Sequence, residues 1–236
     1  MGTVFSFDLR APGVERAALD DAIAWLHRMD AMFSTYRTDS VISRLGRGEL
    51  ELADCPPEVS EVLDACAALT AATDGYFDAH AGGRLDPSGY VKGWAIERVS
   101  DRLAAAGSAN HCVNGGGDVQ CRGTAAPGRD WQVGIAHSLR PGELVATVAG
   151  RTLAVATSGS AERGAHVLDP HTGRSPAALA SVTVVGTRLA EVDALATALF
   201  AMGERAERFA TDRGLRALVV HADGRSTTIG APAALA

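Results

Sequence analysis

The chain lacks several features that would have settled its class at once. It has four cysteines, Cys55, Cys66, Cys112 and Cys121, and none forms a C-x-x-C pair, so a zinc knuckle or a thioredoxin-type redox motif is not indicated. Buried, reduced thiols are the expectation. There is no positively charged opening followed by an apolar stretch, and no apolar run of about 18 residues. The chain therefore reads as cytoplasmic and without a transmembrane segment, although its abrupt opening on a strand is also compatible with a trimmed leader. There is no excess of basic residues: the formal net charge is −6 over 236 residues, which argues against nucleic acid as a partner. Repeats at solenoid spacing and linker-like stretches are absent too. So are the phosphate loop G-x-x-x-x-G-K-[ST], the dinucleotide fingerprint G-x-G-x-x-G and the hydrolase elbow G-x-S-x-G.

What is present is a soluble-type composition, 47% hydrophobic and 21% charged, with enough apolar side chain for a sizeable core. Alternation predicts strands over 3–9, 131–136, 144–148, 152–157, 180–186 and 217–222. A strand over 113–121 is interrupted by Gly115, Gly116 and Gly117, which suggests a bulge, a close approach by a ligand or a kink. Helices are predicted over 14–33, 40–45, 56–73, 91–106, 189–202 and 204–213. Runs of strands mixed with runs of helices point to an α+β class. The expected architecture is a single compact domain, 1–236, with a mostly antiparallel sheet and flanking helices.

The segment Glu191-Val-Asp193-Ala-Leu-Ala-Thr197-Ala-Leu199 organises the rest. Asp193 and Thr197 are four apart on an apolar helix and share a face. A carboxylate and a hydroxyl among buried neighbours need partners. A hard cation such as Mg²⁺ would satisfy both. A local arrangement would also serve: Thr197 bonding back to the carbonyl of residue 193, with Asp193 capping the helix.

Three further motifs carry chemistry. Asp86-Pro-Ser-Gly89-Tyr-Val-Lys92-Gly93 leads into a helix and sets Lys92 near its start, a position the helix dipole disfavours unless an anion such as phosphate lies opposite. A capped helix with a surface lysine is the plain alternative. Asn114-Gly-Gly-Gly117-Asp118 is the glycine interruption. His166-Val-Leu-Asp169-Pro-His-Thr-Gly173 sets a histidine before a turn, where it is either a proton acceptor or a structural hydrogen-bonding group.

Taken in order, these segments resemble the ApbE family, the FAD:protein FMN transferases, over nearly the whole chain. Met1-Gly-Thr3 is similar to its M-G-T opening. Ser34-Thr-Tyr36 with Ser40 and Ser43 is similar to S-x-Y…S-x-x-S, and Gly75-Tyr-Phe-Asp78 to G-x-F-D. Asp86 to Gly93 stands for D-L-G-G-I-A-K-G and Asn114 to Asp118 for N-x-G-G-D. His166 to Gly173 stands for H-I-I-D-P-x-T-G, and the helix around Asp193 for A-D-A-L-A-T-A-L. The segment between Asp78 and Asp86 is shorter than in many relatives. Pro87-Ser88 and Glu191-Val192 depart from the pattern.

The resemblance implies an ApbE/T-fold-like structure and a set of roles. Gly89 (through its carbonyl), Asp193 and Thr197 would bind Mg²⁺. Asp86 and Lys92 would contact FAD, Lys92 at the diphosphate. Met1, Tyr36, Tyr76, Phe77, Asp78 and Val167 would line the flavin and adenosine pockets, with Asn114 and Asp118 among the FAD-binding residues. His166 would be the catalytic base and Lys92 the second catalytic residue. The implied reaction transfers FMN from FAD to a threonine or serine of an acceptor flavoprotein and releases AMP. An Mg²⁺-dependent FAD diphosphatase and a non-catalytic flavin-delivery protein are the alternatives.

Overall fold

Successive side chains of the central strands point to opposite faces of the sheet and enter two different cores. In the computed structural model, residues 2–10, 16–160 and 167–230 are described. Nine strands occur among them: β1 (Phe5–Leu9), β2 (His111–Gly115), β3 (Asp118–Arg122), β4 (Trp131–Ala136), β5 (Leu144–Gly150), β6 (Leu153–Gly159), β7 (Leu179–Gly186), β8 (Arg216–His221) and β9 (Ser226–Ile229). Seven form one sheet in the order β1-β2-β3-β6-β7-β8-β9, antiparallel throughout, and β4 and β5 form a separate ribbon. The helices are α1 (Arg16–Phe33), α2 (Val41–Gly46), α3 (Pro57–Ala72), α4 (Ser88–Ala105), α5 (Leu189–Met202) and α6 (Ala206–Asp212). The molecule is α+β, as expected.

The helices cover one face of the large sheet. Ala154 and Ala156 of β6, Val182 and Val184 of β7, and Val219 of β8 pack there with Trp94, Ile96, Leu199 and Phe200. The alternate residues Leu153, Val155, Val185 and Leu218 point the other way and join Trp131, Ile135 and Val148 of the β4–β5 ribbon. Central strands are thus buried on both faces, which is why β7 reads as an almost unbroken apolar run.

Three local expectations are corrected. The glycine interruption is a hairpin turn between two strands: Gly116 and Gly117 have φ of +61° and +91°, the left-handed pair that a two-residue hairpin loop requires. Helix α4 begins at Ser88, three residues before the predicted start, because Asp86 Oδ1 accepts the Ser88 N–H at 3.1 Å and Pro87 presets the entry. Gly89 therefore lies in the first turn and Lys92 in the second. Strand β9, unpredicted, completes the sheet edge beside β8.

Candidate active site

Helix α5 has no side-chain cap of its own. Two partners from other elements replace it. Glu97 of α4 accepts the Ala190 N–H at 2.9 Å, and Gln120 of β3 accepts the Leu189 N–H at 3.0 Å. Orphan amides at a helix start need such acceptors. These two bonds fix the register of α5 against α4 and the sheet, and with it the height of Asp193.

Asp193 is 3% exposed. It does not cap α5, which starts four residues earlier. Its Oδ2 accepts the backbone N–H of Gly93 at 2.8 Å and the Lys92 ammonium at 3.1 Å. Lys92 also pairs with Asp118. Asp118 and Gln120, alternate residues of β3, both point to the helical side: Gln120 caps α5 and Asp118 meets α4. Asp118 Oδ1 further accepts the Thr157 N–H at 3.0 Å, which anchors the acid to β6 as well as to the lysine.

One turn beyond Asp193, Thr197 Oγ1 meets Ser158 Oγ of β6 at 3.2 Å and does not bond back to the carbonyl of residue 193. Gly89 lies against it: a Cβ built on Gly89 would be 3.5 Å from Thr197 Oγ1 and 3.3 Å from both Thr197 Cγ2 and Phe77 Cε2. Among the described residues no group of three or more His, Cys, Asp or Glu side chains is placed to hold a metal. A cation here would have to take a mixed set: the Asp193 carboxylate, the Thr197 hydroxyl and the Gly89 carbonyl. All three are hard oxygens, the donor type that suits Mg²⁺. On the chemistry of the donor atoms the residues fit the ion.

These groups stand at the wall of a cavity of about 1110 Å³. That lies at or above the top of the range for single small-molecule pockets, roughly 300–1,000 Å³, and is roomy enough for a dinucleotide. Tyr76, Phe77, Asp78, Asp86, Gly89, Lys92, Asn114, Asp118, Val167, Asp193 and Thr197 all line it. Several are held by local bonds. Asp78 Oδ1 accepts the His80 N–H, Asn114 Oδ1 accepts the Gly117 N–H, and Tyr76 takes an Arg205 N–H on its hydroxyl. Asp169 closes its turn by accepting from the His171 N–H and the Thr172 hydroxyl.

Tyr36 is not brought to this cavity. It lies 87% exposed after α1. Both Ser40 and Ser43 donate to the carbonyl of Ser34, which folds the serines inward and leaves the tyrosine outside. Met1 and His166 lie outside the described residues. Sequence reasoning did not single out Ser158 as a site residue, nor the ribbon wall formed by β4 and the residues after it. The wall includes His137, which is buried, lines the cavity and accepts the Leu139 N–H at Nδ1. No local pattern marks these residues, because the ribbon meets the site only through the tertiary fold.

The ApbE family model matches residues 1–83 and 79–219. The chain belongs to the ApbE family. A Rhodobacter capsulatus relative named FAD:protein FMN transferase is 31% identical over 215 residues, 83% of this chain and 36% of the relative. A Haemophilus influenzae protein of the same name is 30% identical over 131 residues, 51% of this chain and 38% of the relative. The chain thus spans well under half the length of these relatives. Two solved structures share the fold. The Thermotoga maritima ApbE protein superposes with a TM-score of 0.87 at 22% identity, covering 97% of this chain and 94% of that one. The apo form of the Pseudomonas stutzeri flavinyl transferase ApbE gives 0.83 at 24%, covering 97% and 92%. No helix among the described residues of this ApbE chain is long and apolar enough to cross a membrane.

Proposed function

We propose that this ApbE protein is an Mg²⁺-dependent FAD:protein FMN transferase, joining the FMN half of FAD to a threonine or serine hydroxyl of an acceptor flavoprotein and releasing AMP. The observation that carries the reading is the meeting of Lys92, Asp118, Asp193 and Thr197 beside a dinucleotide-sized cavity. The relatives' names support the transfer of FMN from FAD to a protein.

Gly89, Asp193 and Thr197 would hold the metal, which when bound offsets charge on the diphosphate and makes its phosphorus more electrophilic. Lys92, steadied between two carboxylates, adds a second positive charge at the diphosphate. Tyr76, Phe77, Asp78 and Val167 border the space for the flavin and adenosine. The acceptor hydroxyl oxygen bonds to the FMN-side phosphorus while the bond from that phosphorus to the bridging oxygen breaks, and AMP leaves. His166 takes the hydroxyl proton. Positioning and charge neutralisation account for most of the rate in such transfers.

The test is incubation of the protein with FAD, Mg²⁺ and a co-expressed acceptor, followed by mass spectrometry. An FMN adduct on the acceptor together with AMP is expected. AMP beside an unmodified acceptor would make the protein an FAD diphosphatase, and unchanged FAD would make it a binding or delivery protein. His166→Ala is expected to retain FAD binding and slow turnover about 10²–10⁴-fold, the usual contribution of a general base; near-normal turnover would return His166 to a structural role.

A further inference from the structure

Cys112 and Cys121 face each other across the β2–β3 hairpin. They are direct partners in the strand register, both are free thiols, and the Cys121 S–H donates to Cys112 Sγ at 3.2 Å. Hydrogen-bonded and non-hydrogen-bonded pairs alternate along an antiparallel ladder. Counting back from the Gly116–Gly117 turn, Gly115 and Asp118 exchange bonds, and Cys112 and Cys121 fall on a non-hydrogen-bonded pair. Such pairs bring Cα atoms to about 4.5 Å, inside the roughly 4.4–6.8 Å span that a disulfide bridges. Rotation about the side-chain bonds is then enough for closure.

The two thiols differ in access. Cys121 is fully buried with Val119, Trp131 and Leu153 under the β4–β5 ribbon. Cys112 is half-buried and lines the cavity. The bond from Cys121 holds the Cys112 thiol below its ordinary pKa, against the opposing effects of burial and of the Asp8 carboxylate opposite it on β1. The same bond, with burial, pushes the Cys121 thiol up. A reachable sulfur that ionises more readily, beside a buried one in contact with it, is the arrangement of an attacking and a resolving cysteine. Neither residue takes part in the transfer chemistry above.

We propose that Cys112 and Cys121 are a reversible dithiol–disulfide site that exchanges with low-molecular-weight disulfides entering through the cavity. The Cys112 thiolate attacks one sulfur of the small disulfide, forms a mixed disulfide and expels one thiolate. Cys121, losing its proton, then attacks Cys112 Sγ, closes the protein disulfide and expels the second thiolate. Two protein thiols are oxidised, one small disulfide is reduced to two thiols, and the protons leave with them. The link ties the hairpin whose tip carries Asn114 and Asp118.

The experiment treats the folded full chain with oxidised glutathione, blocks remaining thiols with iodoacetamide, digests with trypsin and reads the masses. Peptide 103–122 contains both cysteines and no internal Lys or Arg; Cys55 and Cys66 fall in another peptide. The expected product is peptide 103–122 lighter by two hydrogens, unalkylated and restored by dithiothreitol. Cys121→Ser is expected to trap glutathione on Cys112, while Cys112→Ser leaves Cys121 unmodified. A wild-type peptide alkylated at both cysteines, or one that keeps glutathione on Cys112 without closing, would overturn the proposal. The wild-type measurement stands even if a variant fails to fold.

Discussion

Gly93 donates its backbone N–H to Asp193 Oδ2 at 2.8 Å, so the second turns of α4 and α5 are joined through a side chain and a main-chain amide. The bond requires very close approach. A Cβ on residue 93 would sit 2.5 Å from the carbonyl oxygen of Leu189 and 2.6 Å from Asp193 Cβ. In Gly93→Ala, helix propensity favours alanine by about 1 kcal/mol, while overpacking against backbone costs about 1–3 kcal/mol. The clash is expected to prevail because a carbonyl cannot rotate away. Thermal unfolding should show a lower Tm, by about 2–4 °C for each kcal/mol lost. An unchanged or raised Tm would mean that the helices separate freely.

Asp193→Ala is expected to abolish FMN transfer at ordinary Mg²⁺ concentrations, and Asp193→Asn to do nearly the same while keeping an acceptor for the Gly93 N–H. The two variants separate loss of charge from loss of the helix tie. Activity assays across a magnesium series, with FAD binding followed by flavin fluorescence, give the readout. Turnover by Asp193→Ala without excess Mg²⁺ would overturn the proposed role of this residue as a metal ligand.

Thr197→Val keeps the shape and deletes the oxygen that meets Ser158. The Mg²⁺ concentration for half-maximal activity should rise about 10-fold or more, since even outer partners of a metal site commonly contribute 10–100-fold in affinity. Thr197→Ser should retain most of the affinity. Equal magnesium dependence in both variants would assign the hydroxyl a packing role.

Glu97→Ala removes the acceptor for the Ala190 N–H and the partner of Arg188. Loss of a helix cap costs about 0.5–2 kcal/mol, and the Tm should fall accordingly. Glu97→Gln, which keeps an acceptor oxygen, should recover part of that loss. If the two variants melt alike, the ion pair rather than the cap carries the effect.

His111 is fully buried between Ser100 and Ser108. Burial, with the Arg122 guanidinium adding to it, lowers its pKa from 6.5, against the raising effect of hydrogen bonds to Ser108 and Ser100 and of the Asp101 carboxylate. The unfolded chain therefore binds a proton at a higher pH than the native one, so stability is full above 6.5 and declines as pH falls below it toward the native pKa. Urea unfolding across that window should show this decline. His111→Gln should flatten it, even if its stability at neutral pH is lower.

Much of the candidate site is legible because its residues recur at fixed spacings within single elements. Asp193 and Thr197 share a face by helical period alone, and Asp86 to Gly93 marks a loop entering a helix. The pattern of 113–121 reads as one interrupted strand, with bulge, close approach and kink all open, because three successive glycines obscure which two form a turn; the positive φ values of Gly116 and Gly117 decide for a hairpin. The start of α4 was misplaced because an Asx bond from Asp86 recruits Ser88 and Gly89 into the helix. Tyr36 carried a motif, yet nothing in that motif says on which side of a turn a side chain emerges.

The sequence alone determined most of the elements, their α+β mixture and the chemical character of the key groups, since propensity, periodicity and side-chain type are local properties. Only the tertiary structure decided that β3 would aim Gln120 at the start of α5 and Asp118 at Lys92, that Ser158 would meet Thr197, and that the β4–β5 ribbon would wall the cavity. Those meetings join residues far apart in the chain, and they depend on strand register and on how closely two helices pack where Gly93 carries no side chain.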